Sequence, residues 1–126
     1  MYFAYGAWHL NEALHSARSL KFHNPNLPIF LITQRELKCD ALDIFDYVLL
    51  MERKSQYRIF TDRVRFLSLS PFVRTLFIDA DTIVIGDVTP IFDYLDKSDF
   101  VIAEHANSRL VNCGVFAYTK VGQGWS

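Results

Sequence analysis

Thr75-Leu76-Phe77-Ile78-Asp79-Ala80-Asp81-Thr82-Ile83-Val84-Ile85-Gly86 is the stretch on which the reading of the fold turns. Two carboxylates, Asp79 and Asp81, interrupt a run that is otherwise apolar and rich in β-branched residues, the composition of a buried strand and its continuation. Left unpaired inside such a strand, a carboxylate is strongly disfavoured or driven neutral. The pair is therefore expected where the strand runs out at a crevice and meets a cation, an arginine or backbone N–H groups. In extended chain, residues i and i+2 point to the same side, so Asp79 and Asp81 are expected to offer oxygens to one hard divalent ion. Mg²⁺ is usually held by one or two carboxylates plus substrate phosphates, and the pair reads as a metal–phosphate site at a strand terminus. The plainer alternative is a solvated turn, for which Asp is simply a good residue.

Outward from this strand the chain alternates apolar runs with helical patterns. Met1 to Ala7 reads as a first strand. Leu10, Ala13, Leu14, Ala17 and Leu20 recur at helical spacing, predicting an amphipathic helix that starts near Asn11 and ends before Asn24-Pro25-Asn26. Ile29 to Thr33 is a second buried strand, and strand–helix–strand with short punctuation is a βαβ unit. Tyr47-Val48-Leu49-Leu50 predicts a third strand, and Ser55 to Ser70 a helix closed by Pro71. After the carboxylate pair, Asp87 caps either the following short helix, which has Pro90 in its first turn, or the turn that leads into it. Phe100 to Ala103 and Val111 to Tyr118 are the last strands. The pattern predicts one α/β domain over 1–126, an open, mostly parallel sheet with helices on both faces. Ligands of such sheets collect beyond the carboxyl ends of the strands, where Asp79 and Asp81 fall.

The 126 residues are 51% hydrophobic, enough for one core, and 13 basic against 14 acidic side chains give no basic surface for nucleic acid. Cys39 and Cys113 form no metal spacing and read as reduced, semi-buried thiols. No run approaches the roughly 18 apolar residues of a membrane span, and no signal-peptide pattern opens the chain. A cytoplasmic protein is expected.

The segment Ser70 to Thr82 resembles the signature of GT-A-fold glycosyltransferases, the glycogenin-like ones among them. There a strand ends in D-x-D, and the carboxylates bind Mn²⁺ or Mg²⁺ on the diphosphate of a nucleotide sugar. The resemblance runs from Met1 to about Tyr118 and implies a Rossmann-like nucleotide-diphospho-sugar transferase fold. It implies that Ala4, Tyr5 and Gly6 cradle the nucleoside base, and that Arg63 faces the diphosphate. It places Asp79, Ala80 and Asp81 on the metal and donor phosphates, and Asn112 and Gly114, an N-x-G segment, against the donor sugar. Each has a plainer reading: core packing for Tyr5, a solvated ion pair with Asp62 or Glu52 for Arg63, a β-bulge for Asn112 and Gly114. Glu104 and His105 end a strand on the same edge.

Family domains continue past the N-x-G strand and often supply a late histidine as third metal ligand. None of His9, His15, His23 and His105 is assigned that role, so the C-terminal half reads as reduced. The implied function is metal-dependent transfer of a sugar from a nucleotide-diphosphate donor, UDP-linked, to an unidentified acceptor, with no catalytic base assigned. The alternative is a non-catalytic donor-binding module completed by a partner chain. A phosphohydrolase also uses D-x-D, but with a nucleophilic Asp near the start of the fold and a later Lys that this order lacks. Trp125 and the apolar strand edges point to self-association or a partner as a further expectation.

Overall fold

The computed structural model describes residues 1–34, 40–52 and 65–120. Six strands and two helices lie in them: β1 (Tyr2–Ala4), α1 (Ala7–His23), β2 (Phe30–Gln34), β3 (Tyr47–Met51), β4 (Arg74–Ile78), α2 (Ile91–Tyr94), β5 (Phe100–Glu104) and β6 (Val111–Thr119). Short 3₁₀ segments at Asp40–Ile44 and Leu67–Leu69 complete the regular structure of the described residues.

β1, β2 and β3 form a parallel set in the order β1-β2-β3, and β4, β6 and β5 an antiparallel one in the order β4-β6-β5. Two backbone bonds join the sets. The Met1 nitrogen donates to Leu76 C=O at 2.7 Å and Ile78 N–H donates to Met1 C=O at 3.1 Å. One residue bonding the two neighbours of its partner is the parallel pattern. The strands therefore run 3-2-1-4-6-5 across the molecule, with β6 alone antiparallel, which agrees with the mostly parallel sheet read from the sequence.

The central strands alternate their side chains between two apolar layers. Tyr2, Ala4, Leu31, Leu76, Ile78 and Ala117 face α1, whose Leu10, Ala13, Leu14, Ala17 and Leu20 close that layer. Met1, Phe3, Tyr5, Phe30, Ile32 and Phe77 face the other way and are covered by Phe66, Leu67 and Phe72. A strand buried on both faces must read as continuously apolar, which is why β1, β2 and β4 were visible as unbroken runs. The helix expected over Ser55 to Ser70 falls largely outside the described residues; its end, at Arg65 and Phe66, is helical and gives way to the 3₁₀ turn before Pro71.

Two expectations are corrected. α1 starts at Ala7, four residues before Asn11, because Gly6 at φ 90° turns the chain sharply and its carbonyl accepts Leu10 N–H at 3.0 Å. The run Thr82-Ile83-Val84-Ile85 does not continue β4. The chain turns at Asp79–Thr82 and then crosses the end of α1 as a strap whose polar groups are satisfied by α1 and its cap. Ser19 Oγ accepts Val84 N–H at 2.9 Å, Asn24 Oδ1 accepts Val88 N–H at 3.0 Å, and Asn24 Nδ2 donates to Gly86 C=O at 3.1 Å. Backbone groups need partners, not necessarily a ladder. No described helix is long and apolar enough to cross a membrane.

Candidate functional site

The chain leaves β1 toward β2 on one side of the sheet, and leaves β4 toward β6 on the other. The crevice between the carboxyl ends of β1 and β4 is thus a topological switch point, the place where open α/β sheets bind ligands. Ala4-Tyr5-Gly6 exits on one bank and Asp79-Ala80-Asp81 on the other.

On the β1 bank, β2 fixes the corner. Thr33 Oγ1 donates to Ala4 C=O at 2.7 Å and Gln34 Oε1 accepts Gly6 N–H at 2.7 Å. Tyr5 is buried, its ring 4.7 Å from that of Phe3, so this corner meets the crevice through its backbone. α1 begins directly after it with no side-chain cap and no acidic residue in its first turn, so the positive end of the helix dipole opens on the same edge.

On the β4 bank, Asp79 N–H donates to Gly114 C=O at 2.8 Å as the last rung between β4 and β6. Thr82 N–H then donates to Asp79 C=O at 3.3 Å, closing a four-residue turn with Asp79 in its first position. This corrects the same-side argument: the two carboxylates share a turn rather than a pleated strand. Asp79 is half-buried and Asp81 exposed.

β6 completes the bank. Between Ile102↔Phe116 and Ala103↔Asn112 its pairing with β5 jumps, so Cys113, Gly114 and Val115 form a bulge. Asn112 Oδ1 accepts Gly114 N–H at 2.9 Å and sets its shape. The two readings of the N-x-G segment, bulge and ligand-edge residue, are compatible, because the bulge presents Gly114 to the carboxylate. A methyl on Gly114 would lie 2.6 Å from Asp79 Oδ2 and 3.0 Å from Asn112 Oδ1. The Asp79 carboxylate occupies the space that a side chain at 114 would fill. Cys113 on this bulge is exposed, not semi-buried as expected, because β6 turns outward there.

The structure brings together Asp79, Ala80, Asp81, Asn112 and Gly114, and sets Ala4, Tyr5 and Gly6 on the facing bank. Arg63, Asp62 and Cys39 lie outside the described residues. Asp87 caps its turn, accepting Thr89 Oγ1–H at 2.7 Å and Thr89 N–H at 2.9 Å, which in that order hold its carboxyl below the usual range. Glu104 ends β5, and the His105 backbone closes the following loop by donating to Leu110 C=O at 3.0 Å.

Sequence reasoning missed Ser16, buried in the apolar face of α1. Its Oγ lies 2.8 Å from Tyr2 OH and 3.1 Å from Thr82 Oγ1, and Thr82 Oγ1 donates to Asp79 C=O at 2.7 Å. A hydroxyl among Ala13, Leu14 and Ala17 was the only local sign.

Two carboxylates suit a hard cation that takes its remaining ligands from phosphate. Among the described residues, no group of three or more His, Cys, Asp or Glu gathers as a metal site. A separate cleft of about 750 Å³ lies between the Thr82–Val88 strap, α2 and β5. Its walls are mainly apolar, with Asp87 its one carboxylate, and it suits a diphosphate poorly.

Comparison with solved structures finds this architecture in glycosyltransferases. The glycosyltransferase GlyE of Streptococcus pneumoniae TIGR4, in its apo form, superposes at TM-score 0.71 over 94% of this chain with 23% identity. The galactosyltransferase LgtC, solved with donor and acceptor sugar analogues, superposes at 0.60 over 94% of this chain with 13% identity. An active-site mutant of LgtC gives 0.57 at 14% identity. The chain spans 33% of the GlyE structure and 58% of the LgtC structure. Neither protein-family models nor curated proteins give a match. The fold is thus that of GT-A glycosyltransferases, over part of their length.

Proposed function

We propose that this GT-A-fold chain is the donor-binding part of a metal-dependent glycosyltransferase that uses a nucleoside-diphosphate sugar, UDP-linked. The observation that carries the reading is the fit of the Asp79 carboxylate into the space left by Gly114, at the switch point of the sheet. The glycine leaves one carboxylate of the pair standing at the mouth of the crevice, and one or two carboxylates together with substrate phosphates are the usual ligands of a hard divalent ion.

In this reading Asp79 and Asp81 hold Mn²⁺ or Mg²⁺. A bound divalent ion supplies charge neutralisation for the diphosphate as the sugar departs. The chain's own groups do the rest. The first turn of α1 opens its dipole toward the phosphates, and Arg63 would add a second positive group. The corner Ala4-Tyr5-Gly6 takes the base edge-on through its backbone. Asn112, tied to Gly114 N–H, sets the rim against the sugar. Transfer to an acceptor is part of the proposal, and GlyE and LgtC carry additional chain.

Calorimetric titration of UDP with and without Mn²⁺ tests it. Binding that requires the metal, and that is lost in Asp81→Asn, is expected. Metal-independent binding, or an unchanged affinity in Asp81→Asn, overturns the assignment. Turnover of UDP-sugar with Mn²⁺ then separates a transferase from a module that binds without reacting.

A further inference from the structure

We propose that Ser16 is a positioning residue for the Asp79–Thr82 turn, acting through a one-way chain of hydroxyl donors that begins at Tyr2. The proposal rests on the reading of Asp79 and Asp81 as metal-holding carboxylates.

The direction of the chain follows from counting protons, since a hydroxyl has one to give and two lone pairs to accept with. Thr82 Oγ1 spends its proton on Asp79 C=O, at 2.7 Å. In the 3.1 Å contact between Ser16 and Thr82, Ser16 is therefore the donor. Its proton being used, the 2.8 Å contact with Tyr2 has the tyrosine donating. Every member gives once, and the last proton reaches the carbonyl of the first carboxylate residue. Coupled donors of this kind strengthen one another in a low-dielectric interior.

Burial closes the chain to solvent at its head. Tyr2 and Ser16 are both 0% exposed. Burial pushes the Tyr2 phenol up to about 12, so it stays a donor throughout the working range. Ser16 does not serve packing alone, because its flanking residues Ala13 and Ala17 show what the face of α1 takes by default. A buried helix serine can bond back within its own helix; this one reaches across to β1 and to the turn. One turn further along α1, Ser19 donates to Ser16 C=O at 2.6 Å and receives Val84 N–H. The helix thus grips the chain on the far side of the carboxylates as well. With Gly114 receiving Asp79 N–H through its carbonyl, the Asp79 peptide is held at both ends: by β6 at its nitrogen and by Thr82 at its oxygen.

Two readouts test this. The first is amide hydrogen exchange of the ligand-free protein. Ser16→Ala and Thr82→Val should speed exchange of the residue-82 amide, which donates to Asp79 C=O, about tenfold relative to Leu31 and Ile32, while Thr82→Ser keeps wild-type rates. Tyr2→Phe removes the head of the chain while leaving every residue of α1 unchanged and should loosen the turn more weakly, so the test survives a poorly folding Ser16 variant. The second is the affinity for UDP with Mn²⁺, expected to fall about tenfold in Ser16→Ala and to be retained in Thr82→Ser. Unchanged turn exchange in Ser16→Ala overturns the proposal, as does loosened exchange with unaltered metal–UDP affinity. If wild-type protein does not bind UDP with Mn²⁺ at all, the functional reading fails alone, and the hydroxyl chain is judged by exchange.

Discussion

Gly114→Ala isolates the relation between the bulge and the carboxylate. Among the described residues only Gly6 has a positive φ, so an alanine backbone at 114 is unstrained and the whole effect comes from one methyl. That methyl would sit 2.6 Å from Asp79 Oδ2 and 3.2 Å from its Cγ, whereas carbon–oxygen contacts normally begin near ~3.3 Å. Asp79 must therefore swing by roughly 0.7 Å, a rotamer displacement of about 0.5–1.5 kcal/mol. The smaller unfolded-state entropy of alanine offsets part of this, by about 0.4–1 kcal/mol. With an unfolding entropy of about 2.1 cal/mol/K per residue, a net 1 kcal/mol lowers Tm by only about 4 °C in a chain this long. Binding is affected far more, since disturbing the groups that orient a metal ligand typically costs about 10- to 100-fold in metal affinity. We expect a variant that melts within a few degrees of wild type, by circular dichroism, and binds UDP with Mn²⁺ roughly ten- to 100-fold more weakly. The double variant Asp79→Asn/Gly114→Ala should bind little worse than Asp79→Asn, because the methyl's closest contact is with that side chain and only its 3.0 Å approach to Asn112 Oδ1 acts elsewhere. A folded Gly114→Ala with wild-type affinity would refute the reasoning: the closeness of glycine and carboxylate would then be packing and nothing more.

Phe77, 1% exposed and stacked on Phe116 at 4.9 Å, ties β4 to β6 beneath the site; Phe77→Ala should cost about 3–5 kcal/mol, read as a lower denaturation midpoint in urea. Asp46 has its carboxyl held below the usual range, first by Ile29 N–H at 2.7 Å and then by Lys21 at 3.1 Å. Its ionised form is the one that stabilises the fold, so its contribution is complete above the ordinary carboxylate value and fades as the pH falls through the lowered one. The side chain is 43% exposed, so Asp46→Asn should lose less than about 1 kcal/mol at neutral pH, with the difference vanishing in acid; a difference that grows in acid would reverse the sign and defeat the argument.

The elements most legible in the sequence were those whose burial is two-sided. β1, β2 and β4 lie between two apolar layers, and their unbroken apolar runs could hardly be anything else. The start of α1 was misread because its first turn carries exposed Trp8 and His9, while the signal that mattered, Gly6 turning the corner, is a backbone property. Thr82 to Ile85 was misread for the converse reason. Its β-branched composition suits a ladder, but Ser19, at Val84 within the run, and Asn24, at Val88 just beyond it, provide the partners a ladder would have given, from 65 and 64 positions away in the chain.

The carboxylate pair was found by an argument whose geometry did not hold. Pleat alternation would have placed Asp79 and Asp81 side by side, yet the chain turns at Asp79 and the pair belongs to one tight turn. What survives is the part of the reasoning that rests on solvation: two carboxylates after an apolar strand have to sit at its mouth, whatever the local dihedrals. The precision of the site then comes from contacts no local pattern encodes. Gly114 gives the carboxylate its room, and Ser16 reaches Thr82 across 66 positions of sequence. A D-x-D alone therefore identifies only where a strand ends. It becomes a candidate metal site when a glycine opposite makes space for one carboxylate and a buried hydroxyl holds the turn, and each of those two conditions can be removed by a single substitution.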